Sequence, residues 1–168
     1  MTGELLSGRT LVLKTKAGSP AKSALSLVSK DVLLTLGAGN GSADDPTLAS
    51  ATVRIRSTSG GFDDTYVMPA SNWSLVGKPG QAKGYKYKDP TLSAGPVKSA
   101  SVKTGKALTL VGNGAGLHHQ LADDPSPVDV TVTLGAHRYC LQFGGTTTWK
   151  PEKQFTARDA PAPVACAP

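Results

Sequence analysis

The apolar residues of this chain come in short alternating segments, each closed off within a few positions by Gly, Pro, Asn or Asp. Leu11-Val12-Leu13-Lys14, Ala51-Thr52-Val53-Arg54-Ile55-Arg56 and Val130-Thr131-Val132-Thr133-Leu134 all have this form, and a period of two marks a strand with one dry and one wet face. In the second segment Val53 and Ile55 point one way, Arg54 and Arg56 the other. The composition is poor in helix formers: there are only two Glu, Glu4 and Glu152, against ten Asp, and 168 residues include 19 Gly and 12 Pro. The pattern predicts about ten to twelve strands, centred near residues 12, 27, 35, 54, 66, 75, 86, 101, 109, 131, 140 and 155. Turn signals roughly every 8 to 12 residues favour an all-β sandwich or barrel-like body over an α/β arrangement.

Comparing the chain with itself suggests a duplication. Lys22-Ser23-Ala24 recurs as Lys98-Ser99-Ala100, Leu34-Thr35-Leu36 as Leu108-Thr109-Leu110, and Ala43-Asp44-Asp45-Pro46 as Ala122-Asp123-Asp124-Pro125. Tyr66 then matches Tyr139, Trp73 matches Trp149, and Tyr85-Lys86-Tyr87-Lys88-Asp89 is echoed by Phe155-Thr156-Ala157-Arg158-Asp159. The order is kept and the offset drifts between about 70 and 79. The expectation is two tandem pseudo-symmetric units of about 75 residues, 8–90 and 91–161, after a lead-in over 1–7 and before a Pro/Ala-rich tail over 162–168. Units of this size bury too little surface to be robust alone, so a shared core is expected. Trp73 and Trp149 read as plugs in that core, with ligand stacking as the alternative.

No apolar run approaches the ~20 residues that span a bilayer as a helix, so no membrane span is expected. Met1-Thr2-Gly3-Glu4 has neither the basic nor the apolar region of a secretory leader. The two cysteines, Cys140 on an expected strand and Cys166 near the end, lack Cys-x-x-Cys spacing. An even count, a Thr/Ser/Gly-rich composition and the Pro-rich tail point to a Cys140–Cys166 disulfide in an extracytoplasmic protein; the alternative is two free thiols. The compartment then implies that a signal or upstream region is missing from this chain.

Chemistry-bearing motifs are sparse. His118, His119 and His137 do not form a copper or zinc pattern with Cys140, the His118-His119 pair reads as an exposed loop tip, and no Gly-x-Ser-x-Gly elbow is present. The acidic pairs Asp44-Asp45 and Asp63-Asp64 admit two readings. Flexible acidic loops supply oxygens to calcium, whereas Asp ahead of a Pro such as Pro46 shapes a turn through its own side chain. Beyond a possible calcium ion, no cofactor is implied.

The net charge of +6 is concentrated: residues 78–106 contain seven lysines against one acid, Asp89. Within that stretch Tyr85 and Tyr87 share one strand face and Lys86 and Lys88 the other. Two aromatics at strand spacing, with Lys83 nearby as a donor, form a candidate polymer-binding site if both rings are exposed; the alternative places them in the core beside an edge protected by lysines. Nucleic acid is disfavoured, because aromatics are 5% of the chain and no recognition module is visible.

Three stretches carry a resemblance: Asn72-Trp73-Ser74-Leu75 with Lys83-Gly84-Tyr85-Lys86-Tyr87-Lys88-Asp89, Arg138-Tyr139-Cys140-Leu141-Gln142-Phe143-Gly144-Gly145, and Ala157-Arg158-Asp159-Ala160-Pro161-Ala162-Pro163-Val164-Ala165-Cys166. The chain resembles a repeated C-terminal β-domain of predicted secreted proteins from environmental bacteria. That likeness implies an exported or surface-attached module and transfers no activity and no functional residue. The functional expectation is a non-catalytic extracellular module binding glycans or another extracellular polymer. A structural or adhesive subunit self-associating through β-edges is the alternative, and an enzyme the third.

Overall fold

The computed structural model describes residues 3–168. Their strands are β1 (Glu4–Leu5), β2 (Gly8–Lys14), β3 (Ala24–Ser29), β4 (Ala51–Ser57), β5 (Phe62–Met68), β6 (Trp73–Lys78), β7 (Gln81–Lys88), β8 (Val97–Lys103), β9 (Ala107–Asn113), β10 (Val128–Leu134), β11 (His137–Phe143), β12 (Thr146–Lys150) and β13 (Gln154–Ala160), with one short helix, α1 (Pro46–Ala49). They form a five-stranded sheet, β1-β11-β10-β4-β5, packed on an eight-stranded sheet, β12-β13-β2-β3-β9-β8-β7-β6. All strand pairs are antiparallel except β1 with β11. The all-β sandwich expected from the alternation is the observed architecture.

The alternation places the core. Val53, Ile55, Val130, Val132, Leu141 and Phe143 of the smaller sheet meet Leu11, Leu13, Leu25, Leu27, Leu108 and Leu110 of the larger one, all buried. Burial of that apolar surface is the main force holding the sheets together. Two glycines are set by geometry. Gly135, in the two-residue turn from β10 to β11, has φ of 57°, a conformation glycine adopts without steric penalty. At Gly8 a Cβ would lie 2.4 Å from the Phe143 ring.

Two expectations about strands fail. Residues 34–36 form no strand, because Asp31 folds the chain back by accepting from the amides of Ser7 and Leu33, and Thr35 is then held by Glu4 through its amide and hydroxyl. The edge strands β1 and β12 were not anticipated: β1 has two residues and β12 is a polar threonine run.

Both halves of the chain contribute to both sheets, with β7 paired to β8 and β13 to β2. The strand order of each sheet reads the same when β2 to β7 are exchanged for β8 to β13, the two-residue β1 aside. Not every sequence match obeys that exchange. Lys22-Ser23-Ala24 leads into β3 while Lys98-Ser99-Ala100 lies within β8, and Leu34-Thr35-Leu36 is loop while Leu108-Thr109-Leu110 is β9. Those two matches are similarities of composition.

Candidate functional site

Residues that alternate with the buried positions of the eight-stranded sheet point to its other side, which no helix or third layer among the described residues covers. Cross-strand register aligns them in rows. One row runs Arg158, Thr10, Val28, Thr109, Ser101, Lys86; the next runs Thr156, Val12, Ser26, Val111, Ser99, Lys88. The middle positions make a floor of hydroxyls and valine methyls, half-buried except for the more open Val111. Exposed cations stand on either side: Lys14, Lys150 and Arg158 on one bank, Lys86, Lys88 and Lys103 on the other. With neighbouring strands roughly 4.8 Å apart, five spacings from β13 to β7 put Arg158 and Lys86 about 24 Å apart.

These eight strands carry a single acid, Asp159 near the end of β13. Asp159 is exposed, held at φ of 51° between outward Arg158 and buried Ala160, and lines a hollow with Arg9 and Lys30 at the sheet's end. Among the described residues none of the six bank cations is in a salt bridge. The outer side of the smaller sheet differs: there Arg54 and Arg56 flank Asp63, and Arg54 also donates 2.6 Å to the carbonyl of Pro168.

Lys83 is exposed and joins Val76, Lys103, Thr104 and Lys106 around a hollow of about 350 Å³ at one corner of the framed face. Tyr85 and Tyr87, expected beside it as a stacking pair, are not on the surface. They are 0% and 1% exposed, pointing inward because Lys86 and Lys88 take the outward phase of β7. The binding-site reading of these tyrosines is therefore wrong, since ring exposure was its condition. Trp73 is a core plug, donating Nε1–H to the Met68 carbonyl. Trp149 is only half-buried and donates to Leu121.

The four candidate calcium ligands do not converge. Asp45 is fully buried and caps α1: it accepts from the Gly41 and Thr47 amides, the Thr47 hydroxyl and the Asn40 side chain. Burial pushes its carboxyl up, but these hydrogen bonds outweigh burial and hold it below the usual carboxylate range. Asp44 accepts from the Ala38 amide. Asp63 forms a two-pronged bond with Arg54, which lowers its pKa, and Asp64 faces His118 at 3.8 Å. The Asp44-Asp45 loop docks on the Gly135 turn through Ala43 and Ala136, while Asp63 and Asp64 pair with Arg56 and Ile55 at the far end of β4. No cluster of three metal-ligating side chains occurs among the described residues. Asp45→Ala is expected to cost about 2 to 4 kcal/mol, since it removes a helix cap and strands several donors. A thermal melt with added calcium should match one with chelator; a calcium-dependent rise would revive the metal site.

The His118-His119 pair is not simply an exposed tip. His119 is buried, donates Nε2–H to the Lys14 carbonyl and packs edge-on against Phe62; burial lowers its pKa. The sequence also gave no hint that Glu4 would bond His137, joining β1 to the start of β11. Cys140 and Cys166 form the expected disulfide, with Cα atoms 5.2 Å apart. No helix among the described residues is long and apolar enough to cross a membrane. Against known proteins, the chain matches no family model, no curated protein and no solved structure.

Proposed function

We propose that this chain is a non-catalytic extracytoplasmic module that binds a polymer on the outer face of its eight-stranded sheet. The observation that carries this reading is the framed face itself: a broad floor whose bordering cations form no ion pair among the described residues. Charged groups left unpaired around an open surface are available to a ligand, and eight strands offer far more length than a small molecule needs. The disulfide and the resemblance to an exported β-domain favour an extracytoplasmic setting.

Self-association through β-edges is the less favoured alternative. Edge strand β6 is broken by a bulge at Val76/Gly77 and ends in Lys78, and edge strand β12 ends in Lys150. Bulges and terminal lysines are devices that oppose edge-to-edge pairing.

Affinity electrophoresis through gels containing individual polysaccharides tests the proposal. At least one polymer should retard the protein, and Val111→Glu, on the floor at 38% exposure, should lose that retardation while shifting stability by about 0.5 kcal/mol or less. Retardation by nothing in a broad panel, or full retardation of Val111→Glu, would overturn the assignment to this face.

A further inference from the structure

We infer that the polymer bound on this face is an acidic polysaccharide whose anionic groups are held by both cationic banks while its sugar rings lie on the floor between them. The inference rests on the polymer-binding reading above and adds the ligand's chemical class. Its first support is charge. Six exposed cations border the floor, the one acid on the eight strands is Asp159, beside Arg9 and Lys30 at the sheet's end, and none of the six is neutralised by an ion pair among the described residues. A predominantly positive surface of this kind attracts polyanions and releases their counterions on binding.

The second support is the distribution of that charge. Arg158 and Lys86 are the two ends of one register row, and Lys88 ends the next. Lys14 lies near the Asn113 end of β9 and Lys103 opposite Ala107 at its other end. Cations therefore stand near all four corners of the floor, an arrangement suited to an extended chain with repeated anions. The corner hollow around Val76 brings Lys83, Lys103 and Lys106 together, enough positive charge for a densely anionic substituent.

The third support is the floor, which selects sugar over the other common polyanions. Thr10, Ser26, Thr109 and Ser101 present hydroxyls that both donate and accept, as sugar hydroxyls do, and Val12, Val28 and Val111 offer methyl surface to the C–H faces of a ring. No aromatic side chain takes an outward position on this sheet, so the stacking platform that holds single-stranded nucleic acid is missing. A flat sheet face also provides no projecting helix or ribbon to enter a DNA major groove.

The test uses the whole chain and defined probes: alginate and heparin as acidic polysaccharides, dextran as a neutral one, polyglutamate and single-stranded DNA as anions without the sugar surface. Alginate or heparin should bind and dextran should not. Four simultaneous contacts, at the slope seen for a single-stranded polyanion, would weaken binding about 50-fold between 50 and 200 mM salt. Lys14→Glu/Arg158→Glu on one bank, and Lys86→Glu/Lys103→Glu on the other, should each weaken binding at least about tenfold. Arg56→Glu/Thr65→Glu/Val67→Glu, which makes the same change in net charge on the outer side of the smaller sheet, should have little effect.

Dextran bound as well as alginate would leave the polymer reading intact and overturn this inference. DNA or polyglutamate bound as tightly as both acidic polysaccharides would overturn the choice of sugar. An equal loss in the Arg56/Thr65/Val67 variant would reduce the effect to bulk charge and remove the two-bank arrangement. No binding to any polymer would overturn both proposals together.

Discussion

Reduction of the Cys140–Cys166 bond should lower the unfolding midpoint by about 7 to 14 °C. In the chain-entropy description a closure spanning 26 positions contributes about 3.5 kcal/mol, and each kcal/mol moves the midpoint of a chain this size by roughly 2 to 4 °C. The bond does more than close a loop. Cys140 sits at the outward phase of β11 between inward Tyr139 and Leu141, yet it is buried; the tail carrying Cys166 covers it, and a Cβ on Gly3 would meet both sulfurs at 3.0 Å. Arg54 holds the end of the same tail through Pro168. Freed of the disulfide, the tail should become cleavable by protease after β13 while the β10–β11 pairing survives. Calorimetry with and without reductant, paired with limited proteolysis, checks both outcomes. A change below about 2 °C would mean that the tail is held by its other contacts, and thiols titrating in the untreated protein would mean that the bond does not form.

The strands were legible because burial on one side and water on the other force a period of two, and the Gly, Pro and Asp clusters mark where each strand must stop. That signal gave the sheets but not the sidedness of β7. Tyr85-Lys86-Tyr87-Lys88 has the same alternation whether the tyrosines face a ligand or the core; only the second sheet, built from residues distant in sequence, decides it. The loop at 34–36 misled for a related reason. Leu34-Thr35-Leu36 alternates like a strand, but the Asp31 carbonyl, the Glu4 carboxylate, the Gly105 amide and the Tyr139 hydroxyl take up its hydrogen bonds in place of a neighbouring strand. The framed face could not be read in advance, because Arg158, Thr10, Val28, Thr109, Ser101 and Lys86 become neighbours only through register. The concentration of lysines over 78–106 was a partial signal, and it located one bank. The other is assembled from Lys14, Lys150 and Arg158, which no single stretch of sequence displays together.

Substituting the two buried tyrosines should separate ring from hydroxyl. Tyr87→Ala and Tyr85→Ala should each cost about 3 to 5 kcal/mol, the usual loss for a buried aromatic, and lower the midpoint by roughly 6 to 20 °C. Tyr87 packs against Trp73 with ring centroids 5.3 Å apart and receives a long 3.5 Å contact from the Asn72 amide. The Tyr85 hydroxyl is equally enclosed but meets no hydrogen-bond partner among the described residues, and burial, followed by the fields of Asp45 and Asp44, pushes its pKa up to about 12. A buried hydroxyl without a partner opposes folding, because it surrenders its bonds to water and gains none. Tyr85→Phe should therefore leave stability unchanged or raise it by up to about 1 kcal/mol, while the ring keeps its place between its cross-strand neighbours Leu75 and Val102. Denaturant unfolding of the alanine and phenylalanine variants measures these differences directly. A loss above about 1 kcal/mol in Tyr85→Phe would show that the hydroxyl is bonded in solution and helps hold the loop containing Asp44 and Asp45 against the core. Near-native stability in both alanine variants would show that the rings are not core residues, and the inward orientation of β7, on which the outward placement of Lys86 and Lys88 depends, would fall with it.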